Sequence, residues 1–339
     1  MPKLYWLVWL LFYSSISSAV GIQRYIVNGS NANISHYPSF ASLFYRSNNL
    51  YSTSSYCGAT IINPRFALTA AHCIYGDDNL MLYTVVAPQL EDESHFLSSQ
   101  QARAKAFYYP DNYVDSSDAL WKNDIAIIEL ETALSVSDYT SLLNTSVNDT
   151  FAANDDYKAV GHGYIEGNVA GGTRLLDTSL TYVNNQTCQS IYGSDLTSSQ
   201  LCFTGPIQGG YRNSTCNGDS GGPIYWYNGS QYIQIGITSF GPATCGDTTI
   251  NVTSVFTDVY DYQAWIARVI NGQEEPKTYV VTSGSTRTLV NNDSGSISRD
   301  VSSNSGESSG GGLNVFSSLI LALLLLVKHR VAWVTKWHS

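Results

Sequence analysis

The chain has 339 residues, a formal net charge of −10, and charged side chains at only 13% of its positions. A sparsely charged, acidic chain is a poor match for phosphate backbones or an anionic membrane face, which argues against nucleic-acid binding and basic surface anchoring. The length allows one large two-part unit with appendages.

Residues 1–19 read as a secretory signal, with Lys3 as a positive start, an apolar run at 4–13, and small Ser17-Ser18-Ala19 before the cut. That run is too short to span a bilayer comfortably. Residues 20–25 then form a short pro-segment ahead of Ile26-Val27-Asn28-Gly29. Residues 37–43 predict a turn into a strand, followed by a polar loop at 46–55. Short apolar runs at 59–62 and 66–69 flank Asn63-Pro64 and predict a hairpin. Residues 80–86 predict another strand, and Glu91-Asp92-Glu93 a solvated turn whose spacing fits no calcium loop. Residues 125–130 form a near-continuous apolar run after Asp124, as expected of a buried strand.

The chain turns polar between about 136 and 154, the link between two halves. Runs at 157–161, 177–183, 224–227, 233–238 and 255–259 predict further strands. Tyr262, Trp265, Ile266 and Val269 recur at helical spacing and predict a closing amphipathic helix over 260–270. Many short strands separated by turns make the chain all-β, a barrel or a sandwich. Beyond residue 271 the composition shifts. Residues 282–312 are Ser-, Gly-, Asn- and Thr-rich and predict a disordered stalk. An apolar run at 313–327 and a short basic tail at 328–339 follow. This end fits a single membrane span, a GPI signal or an unanchored tail. Asn-x-Ser/Thr sequons begin at Asn28, Asn33, Asn144, Asn148, Asn185, Asn213, Asn228, Asn251 and Asn292. They predict a glycoprotein, with Asn28 and Asn213 in crowded surroundings.

The six cysteines leave none over in any full pairing, which fits an oxidising compartment; their connectivity is open from sequence. No pair has C-x-x-C spacing, which argues against zinc.

The chemistry concentrates in Cys216-Asn217-Gly218-Asp219-Ser220-Gly221-Gly222-Pro223. A serine hydroxyl is a weak nucleophile until a base takes its proton. Glycines beside it allow a sharp turn that gathers backbone N–H groups around a developing oxyanion. Upstream lie Ala70-Ala71-His72-Cys73 and Asn123-Asp124-Ile125-Ala126. Together the three segments resemble the chymotrypsin-like (trypsin-like) serine endopeptidase family over residues 26–270.

The resemblance implies two six-stranded antiparallel β-barrels with the active site between them and a C-terminal helix. It implies His72 as general base, Asp124 as its orienting acid, Ser220 as nucleophile, and Gly218 and Ser220 N–H as the oxyanion hole. It pairs Cys57–Cys73, Cys188–Cys202 and Cys216–Cys245. Cleavage before Ile26 would free an ammonium to pair with Asp219. Arg24 stands one place earlier than the family's usual basic residue, so the cut follows Tyr25, or follows Arg24 with later trimming. Ser239 matches the serine that supports the triad acid, and Phe240 replaces a usual Trp. His162 replaces another Trp and reads as a packed or surface histidine. Ser214, Thr215, Gly241 and Ser254 line the substrate pocket with Ser239 and Phe240. A neutral Ser214 favours large apolar or aromatic residues before the scissile bond, unless Asp247 restores a basic preference. The domain then spans 26–272 and the linker 273–312. The implied partners are polypeptide substrates and protein inhibitors of a monomeric, secreted or surface-tethered enzyme without cofactor or metal. A non-catalytic binding protein and an esterase are the competing readings; the intact triad opposes the first.

Overall fold

The computed structural model describes residues 26–139, 142, 151–165, 168, 169 and 171–292. The signal, the pro-segment with Tyr25, the apolar tail, and the sequons at Asn144 and Asn148 lie outside the described residues. A two-residue strand, β1 (Ser30–Asn31), opens the fold and pairs with the second barrel.

The first barrel closes through β2 (Phe40–Tyr45), β3 (Cys57–Asn63), β4 (Phe66–Thr69), β5 (Thr84–Pro88), β6 (Ala102–Tyr108) and β7 (Ala126–Leu130). The closing pairs are β6 with β5 and with β7, so no edge remains in the ring. Asn63-Pro64 turns β3 into β4. In β6 Arg103 and Lys105 point outward while Ala102, Ala104 and Phe107 point in. β7 is buried apart from Glu129, as its apolar run requires.

The second barrel uses β8 (Tyr157–Gly161), β9 (Leu176–Val183), β10 (Gln200–Thr204), β13 (Pro223–Tyr227), β14 (Tyr232–Phe240) and β15 (Ser254–Asp258), closed by the β8–β9 pair. A small hairpin, β11 (Ile207–Gln208) and β12 (Tyr211–Arg212), projects from it. Tyr157, Phe203 and Phe256 fill its centre, with edge-on rings. Two helices lie on the barrels, α1 (Asp78–Tyr83) and α2 (Asn185–Tyr192). The last helix, α3 (Gln263–Ile270), buries Ile266 and Val269 against the core of the first barrel, although it follows the second in sequence. The disulfides are Cys57–Cys73, Cys188–Cys202 and Cys216–Cys245, the pairing implied by the resemblance. No helix among the described residues is long and apolar enough to cross a membrane.

Three expectations are corrected. Residues 80–83 are helical, and the strand begins at Thr84. The Asp77 carboxylate accepts from Leu80 N (2.8 Å) and caps the helix start, while Thr84 Oγ1 donates back to Leu80 O (2.7 Å) and closes its end. Glu93 is not in a solvated turn: its side chain is buried, because Glu93 N donates to Thr173 O (2.8 Å) and pulls the segment against the second barrel. The stretch taken as the start of a linker instead folds into a hairpin, β16 (Thr278–Ser283) and β17 (Thr286–Asn291). Gly284, with φ +61°, makes its two-residue turn. β16 pairs with β6, so the hairpin extends the first barrel's sheet. Arg287 fastens it, donating to Leu82 O and Ala104 O (both 2.9 Å) and to the Glu131 carboxylate (2.5 Å).

Candidate active site

His72 sits in a 3-10 turn, Ala71–Cys73, that follows β4 at once. Small, buried Ala70 and Ala71 let that turn enter the seam, and the Cys57–Cys73 disulfide ties it to β3. Asp124 precedes β7 and is fully buried. Its Oδ1 accepts from His72 N (2.9 Å), and its Oδ2 lies 2.7 Å from His72 Nδ1. The same Oδ2 accepts from Ser239 Oγ (2.6 Å). Thr257 Oγ1 donates to Asp124 O (2.7 Å), and Tyr262 Oη donates to the Asn123 carboxamide (2.7 Å), so the backbone of this loop is held as well. A carboxylate that accepts at Nδ1 fixes the tautomer and turns Nε2 into the basic nitrogen.

Ser220 lies in a turn stitched to both barrels. Its carbonyl accepts from Gly58 N (2.7 Å), next to Cys57. Gly221 N donates to Thr238 O, and Thr238 N to Gly222 O (both 2.8 Å). Gly221 has φ +74°, and a Cβ there would stand 2.2 Å from Thr69 Oγ1 and 3.1 Å from Ala70 N. The Ser220 turn therefore rests on Thr69 and Ala70, just before His72, an approach only glycine permits. The amides of Cys216, Asp219, Gly221 and Gly222 are spent holding the turn. Those of Gly218 and Ser220 take no part in that internal network.

Asp219 is fully buried. It accepts from Gly163 N (2.8 Å) and Cys216 N (2.9 Å). Burial pushes its carboxyl up to about 7, against the pull of those two bonds. Ile26 is fully buried near Ile165 and Leu176, and Val27 N donates to Ser214 O (3.1 Å). The segment after the expected cleavage point is thus already seated beside Ser214.

Ser214 is buried, and its hydroxyl has no hydrogen-bond partner among the described residues. Thr215 donates from N (2.9 Å) and from Oγ1 (3.0 Å) to Ser254 Oγ, which joins these two of the expected pocket residues. A Cβ on Gly241 would stand 2.8 Å from Thr253 O. Asp247 caps Thr249, accepting from its N (2.8 Å) and Oγ1 (2.7 Å), so its carboxylate is engaged in a surface loop. Phe240 meets the Trp121 and Tyr192 rings at 5.5 and 5.4 Å. Sequence reasoning missed Trp121; its position three places before Asp124 is the one signal that could have found it. Among the described residues, Cys57, His72 and Cys73 are the one group spaced for a metal, and both thiols there are consumed in a disulfide.

The family model for trypsin matches residues 26–266. Chymotrypsin-like elastase family member 1 of Felis catus is 30% identical over 72% of this chain and 89% of its own length. CLIP domain-containing serine protease B4 of Anopheles gambiae is 30% identical over 71% of this chain and 69% of its own. Among solved structures, mouse neuropsin, a serine protease, superposes with a TM-score of 0.60 at 22% identity, over 72% of this chain and 100% of its own. The secreted serine protease VesC of Vibrio cholerae gives 0.58 at 23% identity over 71% of this chain, which spans about half of VesC (48%). The chain belongs to the trypsin family and is a serine endopeptidase.

Proposed function

We propose that this enzyme cleaves polypeptides through an acyl-enzyme on Ser220, after large apolar or aromatic residues, once it has been secreted and cut before Ile26. The observation that carries the reading is the continuous line Ser239–Asp124–His72 beside the turn that bears Ser220. His72 Nε2 takes the Ser220 proton as Oγ attacks the scissile carbonyl, then returns it to the leaving amine. Asp124 stabilises the imidazolium formed between those steps. Gly218 and Ser220 N–H receive the oxyanion, a contact that strengthens only as charge develops.

A pocket based on uncharged Ser214, Thr215 and Ser254 offers no anion to Lys or Arg. The Asp247 carboxylate, occupied by Thr249, adds no support to a basic preference. The same pocket preference would let the enzyme cut its own Tyr25–Ile26 bond. The freed Ile26 ammonium would then pair with Asp219.

The test is fluorophosphonate labelling, followed by a peptide-library cleavage profile and N-terminal sequencing of the mature chain. Labelling lost in Ser220→Ala, cleavage after Phe, Tyr, Leu or Met, and an Ile26 terminus are expected. An unlabelled, correctly cut chain would leave a binding protein on the protease fold. Cleavage after Lys or Arg would overturn the pocket reading. Purified Ser220→Ala precursor should stay intact alone and be cut by added active enzyme; no cutting removes the self-activation step.

A further inference from the structure

The seam between the barrels holds a second acid–imidazole pair away from Ser220. Residues 91–93 of the first barrel are zipped to the second: Glu93 N donates to Thr173 O and Leu175 N to Glu91 O (both 2.8 Å). This carries the Glu93 side chain, 2% exposed, into the seam, where it accepts from Ser55 N (2.8 Å). Its carboxylate lies 4.0 Å from His162 Nδ1. The same Nδ1 is 3.3 Å from Ser42 Oγ, and the ring packs on Phe40 at 5.7 Å. His162 Nε2 is buried with no hydrogen-bond partner among the described residues. Burial holds Glu93 up at about 7 and His162 down at about 3, so both are kept neutral over much of the acid range.

The main chain of His162 belongs to the other side of the seam. Gly163 N donates to Asp219 Oδ1 (2.8 Å). A Cβ on Gly161 or Gly163 would stand 2.1 or 2.3 Å from an Asp219 carboxylate oxygen. A Cβ on Gly218 would stand 3.0 Å from Gly163 Cα and 3.7 Å from His162 O. One residue thus has its side chain gripped by the first barrel and its backbone pressed against Asp219 and Gly218.

We propose that His162, held by Ser42 and packed on Phe40, is a positioning residue that keeps the Gly161–Gly163 backbone against Asp219, so that the Gly218 N–H stays aimed at the oxyanion. The inference rests on Ser220 being the nucleophile. Donors aimed at an oxyanion act in the transition state and hardly at all on bound substrate. Loosening the strap therefore lowers kcat and leaves KM nearly alone, and a misplacement near 1 Å costs on the order of 100-fold.

The test uses the cleaved full chain, with active sites counted by fluorophosphonate titration. His162→Ala should lower kcat per titrated site by about tenfold or more, with KM within about twofold. Affinity for a peptide boronate, which forms the tetrahedral anion, should fall in step, while affinity for a carboxylate product peptide should not. His162→Asn, which restores a polar atom near the Nδ1 position, should recover part of the loss. Ser42→Ala, a small change that spares the fold, should give a lesser fall in kcat at unchanged KM. His162→Ala or, if that variant does not fold, Ser42→Ala, with wild-type kcat and boronate affinity, would falsify the inference. Because such a variant still labels, the reading of Ser220 would stand.

Discussion

Ser239 Oγ donates across the seam between the barrels to Asp124 Oδ2 (2.6 Å), the oxygen that also faces His72 Nδ1. The acid is therefore oriented from both barrels at once. Asp124→Asn should lower kcat by about 10⁴-fold, the size known for this change in trypsin-like enzymes, because the amide stabilises the wrong imidazole tautomer. Ser239→Ala leaves the carboxylate and its two His72 contacts in place, so a loss of about tenfold or less is expected. Steady-state kinetics on one peptide substrate separate the two.

Asp219 gives a pH signature that depends on cleavage. In the uncut chain burial raises its carboxyl from 3.8 to about 7. The folded precursor then holds a proton that the unfolded chain has released, so this stabilisation is full below about pH 4 and is lost as pH rises through about 7. An Ile26 ammonium would reverse the shift by favouring the carboxylate. The Ser220→Ala precursor should lose about 5 °C or more of Tm between about pH 5 and pH 8, relative to the cleaved enzyme. Glu93 is raised in the same direction in both forms and drops out of the difference. Parallel pH curves for the two forms would contradict the pairing.

Gly163→Ala should disable the site without unfolding the protein. Its methyl would stand 2.3 Å from Asp219 Oδ2 and 2.4 Å from Asp219 Cγ, and the carboxylate is buried and tied to Cys216 N. The oxyanion loop must shift instead, and kcat should fall by about 100-fold. Near-ultraviolet circular dichroism should stay close to wild type, and turnover per labelled site reports the loss.

Arg287 anchors the C-terminal hairpin, with a side chain only 6% exposed and three acceptors outside the hairpin: Glu131, Leu82 O and Ala104 O. Arg287→Ala leaves those acceptors wanting and should cost about 2 kcal/mol. For a domain of this size that is a fall in Tm of roughly 4–8 °C, read by calorimetry, with kcat unchanged.

The parts of the fold visible in the sequence were those with local signals. Asn63-Pro64 marked a hairpin, the apolar run after Asp124 marked a buried strand, and the three motif segments marked the seam. Pairings between distant segments have no local signal, and there the reading failed. Nothing near Glu91-Asp92-Glu93 says that Thr173 and Glu93 will pair, so a buried glutamate looked like a solvated one. Residues 286–291 sit beside Ser- and Gly-rich sequence, and their alternation becomes informative only once Ala106 and Phe107 offer an edge. Asp77 misled in the other direction, since a single cap turned an apolar run from strand to helix.

The family match ends at residue 266, whereas the folded unit runs on through Asn291. A recombinant form trimmed to the family boundary would leave Ala106 and Phe107 of β6 paired with β7 alone, their other side open, and the Glu131 carboxylate without its arginine. Exposed strand backbone of that kind seeds self-association. Expression boundaries for this enzyme therefore belong beyond residue 291, and a purification handle placed after that point also leaves free the amino terminus that the proposed cut before Ile26 would create.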